Sequence, residues 1–170
     1  MSPNTRFITH TALFLALAIL VPVAFHSGPW GRAFLPMHIP VLLAGFLVGP
    51  VSGLLVGLLA PVVSQFLTGM PSGYAVPLMT MELAVYGLAA GLTYKRWRWN
   101  IYLALIVAMI LGRFMFALGI LLLGPMLGVP YDFTAYLAFG GPLWTGLPGI
   151  VVQLVLIPII VAGVDRRRRP

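Results

Sequence analysis

Two ionisable side chains stand alone in long apolar surroundings, Glu82 in TMELAVYG and Arg113 in LGRFMF, and their chemistry is that of ion pairing and anion recognition. A charged group facing lipid at mid-membrane costs about 3 kcal/mol, so both must turn inward, toward each other, backbone groups or a ligand. A buried pair that only fixes packing is one reading. Arg113 is the stronger functional candidate, because a guanidinium stays charged at any relevant pH and its planar fork grips a carboxylate or phosphate with two parallel bonds.

Catalytic chemistry finds little support in the remaining residues. There are three acidic residues, three histidines and no cysteine. No His-Glu-x-x-His pattern occurs, and His10, His26 and His38 have no helical pairing with a carboxylate, so no metal site, cofactor or catalytic residue is assigned. Ser52 and Ser64 sit in no nucleophile motif, and small hydroxyls in apolar helices commonly mediate packing. A glycine-rich loop ending in Lys-Ser or Lys-Thr is lacking, which removes nucleotide hydrolysis by this chain itself. The expectation is a non-enzymatic binding protein whose energy comes from a gradient or from partners.

The elements that must hold Glu82 and Arg113 follow from composition. The chain has 170 residues, 61% hydrophobic and 8% charged, where a soluble domain needs roughly a quarter charged to cover its surface. This is the signature of an all-α integral membrane protein, read as one membrane domain over residues 1–170 with no cleaved leader. Crossing about 30 Å of hydrocarbon takes about 20 helical residues. On that measure the sequence predicts a six-helix bundle: about Phe7 to Phe25, two helices within His38 to Leu67 joined at Gly49-Pro50, Tyr74 to Tyr94, Ile101 to Leu123, and Gly141 to Val164. Helices two and three are expected to be short or broken, neither comfortably long enough to cross alone. Leu35 to Pro71 runs without a charged side chain yet is cut repeatedly by Gly and Pro; such backbone is tolerated at membrane depth where protein or a water-filled cavity satisfies it, which suggests a pocket or a path. Pro22, Pro61, Pro77 and Pro158 are expected to kink their helices.

Charge sets the orientation. With six crossings, Arg6, the Lys95, Arg96, Arg98 group and Arg166 to Arg169 all lie on one side, so the positive-inside rule places both termini in the cytoplasm. The net charge of +7 then reflects topology and contact with anionic membrane lipid rather than nucleic-acid binding. The outward segments carry His26, Trp30, Arg32, His38, Tyr131, Asp132 and Tyr136, a mixture that suits either a small-molecule site or an interfacial aromatic belt. Trp97 and Trp99 on the other side fit the belt. In the first helix Ala12 and Ala16 share a face, and small residues at that spacing let another helix approach closely.

Several separate segments agree in order with a known family. The Ala12-x-x-x-Ala16 helix, LPMHIPVLLAGFLVGP, the FLTGMP turn from Phe66 to Pro71 and MELAVYGLAAGL from Met81 to Leu92 resemble the substrate-binding S component of an energy-coupling factor (ECF) transporter. Within it, His38 to Pro40, Gly69 to Pro71, Glu82 to Gly87 and Gly112-Arg113 are similar to segments of the pantothenate-type group. The resemblance implies a multi-pass protein of a prokaryotic cell membrane. It would capture a small water-soluble vitamin or precursor, pantothenate foremost, from outside. It would also dock onto a transmembrane T component carried by two cytoplasmic ATPase subunits. It matches Ala12 and Ala16 to the docking motif. A substrate site of Arg113, His38, Trp30, Tyr74, Glu82 and Tyr86 is the corresponding expectation, with Arg113 holding the carboxylate. The alternative is a stand-alone secondary transporter or channel using Glu82 as a proton-linked carboxylate.

Overall fold

A computed structural model of the chain describes residues 2–24, 35–130, 133–138 and 142–168, and these are helical with short connections. In chain order they form α1 (Pro3–Ala24), α2 (His38–Leu43) continued by a wider π turn over Ala44–Val48, α3 (Pro50–Thr68) and α4 (Ala75–Gly91), which is continued by a second π turn over Leu92–Arg96. Then follow α5 (Ile101–Leu127), α6 (Phe133–Leu137), α7 (Pro142–Thr145) and α8 (Leu147–Arg168). Five stretches are long and apolar enough to cross a membrane: Pro3–Ala24, Pro50–Thr68, Ala75–Arg96, Ile101–Leu127 and Leu143–Val164, with His38–Val48 a shorter apolar helix.

Local chemistry explains the boundaries, and it corrects two of the sequence expectations. Gly49, at φ 143°, ends the π turn in a conformation open to glycine, and Pro50 starts α3 where no amide donor is needed. Gly69, left-handed at φ 74°, closes α3 and returns its amide to the Gln65 carbonyl. Between these stops α3 runs for 19 residues through Pro61, so it is long enough to span and only α2 is short. Pro77 likewise falls in the first turn of α4, where its missing N–H would be unpaired anyway. Pro22 and Pro158 lie inside their helices as expected. Asn100 caps α5, its side chain accepting from the Tyr102 amide at 2.9 Å. That helix continues past Leu123 to Leu127, so part of the expected outer loop is helix.

The glycines of the broken region serve helix packing. A Cβ on Gly53 would collide with the Gly87 backbone and one on Gly87 with that of Gly53, while one on Gly57 would strike the Leu83 carbonyl. Thus α3 and α4 meet main chain to main chain, the close approach that small residues permit where lipid supplies no hydrophobic drive. Thr11 of α1 and Ser52 of α3 share a hydrogen bond at 2.8 Å. Around this seam lies the main core, in which Phe14 and Ala18, Val41 to Ala44, Leu83 and Tyr86, Ala104, Leu105, Ala108 and Met109, and Ile157 with Val161 bring α1, α2, α4, α5 and α8 together. A second cluster, Leu78, Phe116, Ile120 and Tyr136, joins α4, α5 and α6.

Candidate functional site

Glu82 and Arg113 face each other across α4 and α5, with Arg113 Nη1 at 3.1 Å from Glu82 Oε1. Both side chains are shielded, Glu82 at 2% exposure and Arg113 at 14%. His38, the first residue of α2 and buried, brings Nε2 to 3.5 Å from the same carboxylate oxygen. Three helices therefore contribute one charged or ionisable group each to a single point inside the bundle. The helical register explains it: Glu82 shares a buried face of α4 with Leu78, Tyr86 and Ala89, and Arg113 lies one residue from buried Gly112 and three from Phe116.

Tyr86 lies one helical turn beyond Glu82, wholly buried, with its ring edge-on to His38 at a centroid distance of 5.1 Å and an interplanar angle of 87°. That placement depends on Gly112, because a Cβ there would overlap the Tyr86 ring. Several polar atoms in this cluster are buried with no hydrogen-bond partner, among them both His38 ring nitrogens, Glu82 Oε1, the Tyr86 hydroxyl, and Nε and Nη2 of Arg113. In a guanidinium Nε and Nη2 form one edge, two parallel donors matched to the two oxygens of a carboxylate. Glu82 takes Nη1 and leaves that edge open. Buried donors in such a state cost free energy until something accepts from them.

A cavity of about 450 Å³ lies at the far end of α5, lined by Ile120, Leu121, Gly124, Pro125, Val129, Pro130, Phe133 and Thr134. Among the described residues, none of the predicted binding residues lines it. Between it and the ion pair stand Phe116 and Tyr136, their rings tilted against each other at 5.6 Å. Yet Arg113, Phe116, Ile120 and Gly124 follow one another at helical spacing along one side of α5, so a single stripe leads from the guanidinium to the cavity wall. The polar cluster offers hydrogen bonds and charge, and the apolar cavity offers room of the size used by small-molecule ligands.

The structure thus brings together Arg113, Glu82, His38 and Tyr86. Tyr74 is half-buried just before α4, eight residues and about 12 Å of helical rise from Glu82. Trp30, with His26, Arg32, Tyr131 and Asp132, lies outside the described residues. Tyr136 does not belong to a surface belt: it is 1% exposed, because α6 folds its ring onto Phe116. Trp97 and Trp99 are exposed, tilted against each other at 5.4 Å. Ala12 and Ala16 are exposed on the outer side of α1, and Ala12 borders a shallow cleft with Phe7, Ile8, Thr11, Leu15 and Leu55. Sequence reasoning passed over Gln153, which is fully buried with both amide atoms unpartnered; the signal was available, a lone amide in the apolar run IVVQLVLIPIIV.

Comparison with curated proteins returned no match, and neither did comparison with solved structures. Residues 6–161 match a protein family described as ECF transporter, substrate-specific component. That match spans every helix carrying the cluster. The chain belongs to the ECF transporter substrate-specific component family, and is a membrane-embedded subunit of transport rather than an enzyme.

Proposed function

We propose that this subunit captures a small carboxylate-bearing vitamin or precursor, pantothenate foremost, from the outer face of a prokaryotic cell membrane. It passes the substrate on through an ATP-driven coupling module. The observation that carries the reading is the open Nε and Nη2 edge of Arg113, buried near mid-span and flanked by His38 and Tyr86. An entering carboxylate accepts both donors, while Glu82 keeps Nη1 and holds the guanidinium in orientation. Tyr86 and His38 supply ring surface and the remaining hydrogen bonds. The half-open groove beyond Phe116 and Tyr136 serves as the vestibule.

In this reading α2 and its π turn complete a sixth crossing and both termini lie in the cytoplasm, as the distribution of Lys and Arg favours. Ala12 and Ala16 then present a small-residue face for the transmembrane T component, which is carried by two ATPase subunits; their exposure supports that use. Titration of the isolated protein with pantothenate tests the site. Arg113→Ala should weaken binding by about 2 kcal/mol or more, roughly thirtyfold, through loss of a charged hydrogen-bonded pair. Parental affinity in that variant removes Arg113 from the site. Concentrative uptake by the protein alone in liposomes under a proton gradient, with no ATPase subunits, would instead favour a stand-alone transporter.

A further inference from the structure

Gln153 lies in the middle of the last apolar span. Leu143–Val164 has its midpoint between residues 153 and 154, and Ile101–Leu127 has its midpoint at residue 114, so Gln153 and Arg113 each lie next to the midpoint of their apolar span. Gln153 is 0% exposed, and neither its Oε1 nor its Nε2 has a hydrogen-bond partner. The helices packed against α8 are α2, α5 and the short α7, and α2 and α5 carry His38 and Arg113. Ile157 and Val161, one and two turns along from Gln153, join the main core beside the residues of α2. A fully buried side chain on that helix faces the packed interior, whose walls include the helices that carry His38 and Arg113. An amide buried with both ends unmatched is unfavourable by itself, and becomes favourable when one neighbouring group both donates and accepts.

We propose that Gln153 forms a second polar subsite for the captured molecule. It pairs with a neutral group offering both a donor and an acceptor, an amide first and a hydroxyl second, while Arg113 holds the carboxylate. The inference rests on the capture reading above and narrows its substrate class to anions that carry such a group along their length. Glu82 and His38 fix the charged end; Gln153 reads the neutral part.

The test uses the full-length protein in mild detergent, stripped of small molecules by extended dialysis, with pantothenate and panthenol as probes. Panthenol keeps the amide and hydroxyls but has an alcohol in place of the carboxylate. Gln153→Leu should weaken pantothenate binding about tenfold or more while leaving the preference for pantothenate over panthenol intact, since that preference belongs to Arg113. Unchanged pantothenate affinity overturns the subsite. Thermal unfolding of the stripped proteins decides the matter independently of which ligand is correct. Gln153→Leu should melt at the parental temperature or higher, because an apolar side chain of similar volume replaces an unpaired amide. A clear fall would mean that Gln153 is already bonded within the protein, and overturns the proposal. If the parent fails to bind pantothenate, the pantothenate reading falls, and the melting comparison still judges Gln153.

Discussion

Replacing Glu82 by Gln keeps the shape of the side chain but removes the charge that faces Arg113. Two unit charges separated by the observed 3.1 Å attract by about 5 kcal/mol at an effective dielectric constant of about 20. Part of that is recovered, because the amide oxygen of Gln keeps a partial negative charge facing Nη1. Removing one partner of a buried pair costs about 3–5 kcal/mol, and the 14% exposure of Arg113 points to the lower end, about 3 kcal/mol. For a chain of this size each kcal/mol moves the melting temperature by about 2–4 °C, so Glu82→Gln should melt about 6–12 °C below the parent. The double variant Glu82→Leu with Arg113→Leu removes both charges and should recover most of the loss, since replacing a buried pair by apolar groups is often close to neutral. Tryptophan fluorescence during heating in mild detergent reads both. A Glu82→Gln protein melting within about 2 °C of the parent would mean that water already screens the pair, as at a surface where such pairs contribute about 1 kcal/mol or less. A double variant as unstable as the single would place the lost stability in packing instead of charge.

Two further expectations follow from the packing and the outer face of α1. Gly87→Ala places a methyl group against the Gly53 backbone, and because main chain cannot rotate aside it should destabilise by about 2 kcal/mol or more; a melting temperature equal to the parent would refute the close crossing. Replacing Ala12 and Ala16 by Trp should leave pantothenate binding by the isolated protein unchanged, since both are exposed and distant in sequence from the polar cluster, while copurification with a T component falls; undiminished copurification refutes the docking assignment.

Much of the fold is legible in the residues. A chain with 8% charge and apolar runs of about 20 residues can only be a helical membrane protein, and α1, α4 and α5 fall close to their expected places. The lipid penalty alone turns Glu82 and Arg113 inward but leaves their partners open among each other, backbone and a ligand, and the fold pairs them with each other. The length of α3 was not readable in the same way. Glycines 53 and 57 look like breaks in a one-dimensional string, and only the presence of Leu83 and Gly87 across the interface turns them into contacts. Pro77 misled for a related reason, since a proline is harmless in a first turn and the start of α4 depends on the preceding loop. Tyr136 resembled an interfacial residue because its burial comes from α6, a five-residue helix too short to announce itself by periodicity. His38 was grouped with Glu82 by the family resemblance and by nothing in local spacing, as they stand 44 positions apart, and the fold is what brings its ring to the carboxylate.

Where α3 crosses α4 there are no side chains between the two helices at Gly53 and Gly87, hence no rotamers that can rearrange to let the helices slide or part. That edge of the bundle acts as a keel. On the proposed capture reading, volume added by a guest should be taken up away from this seam, so the spacing of α3 and α4 should stay constant between the empty and loaded protein.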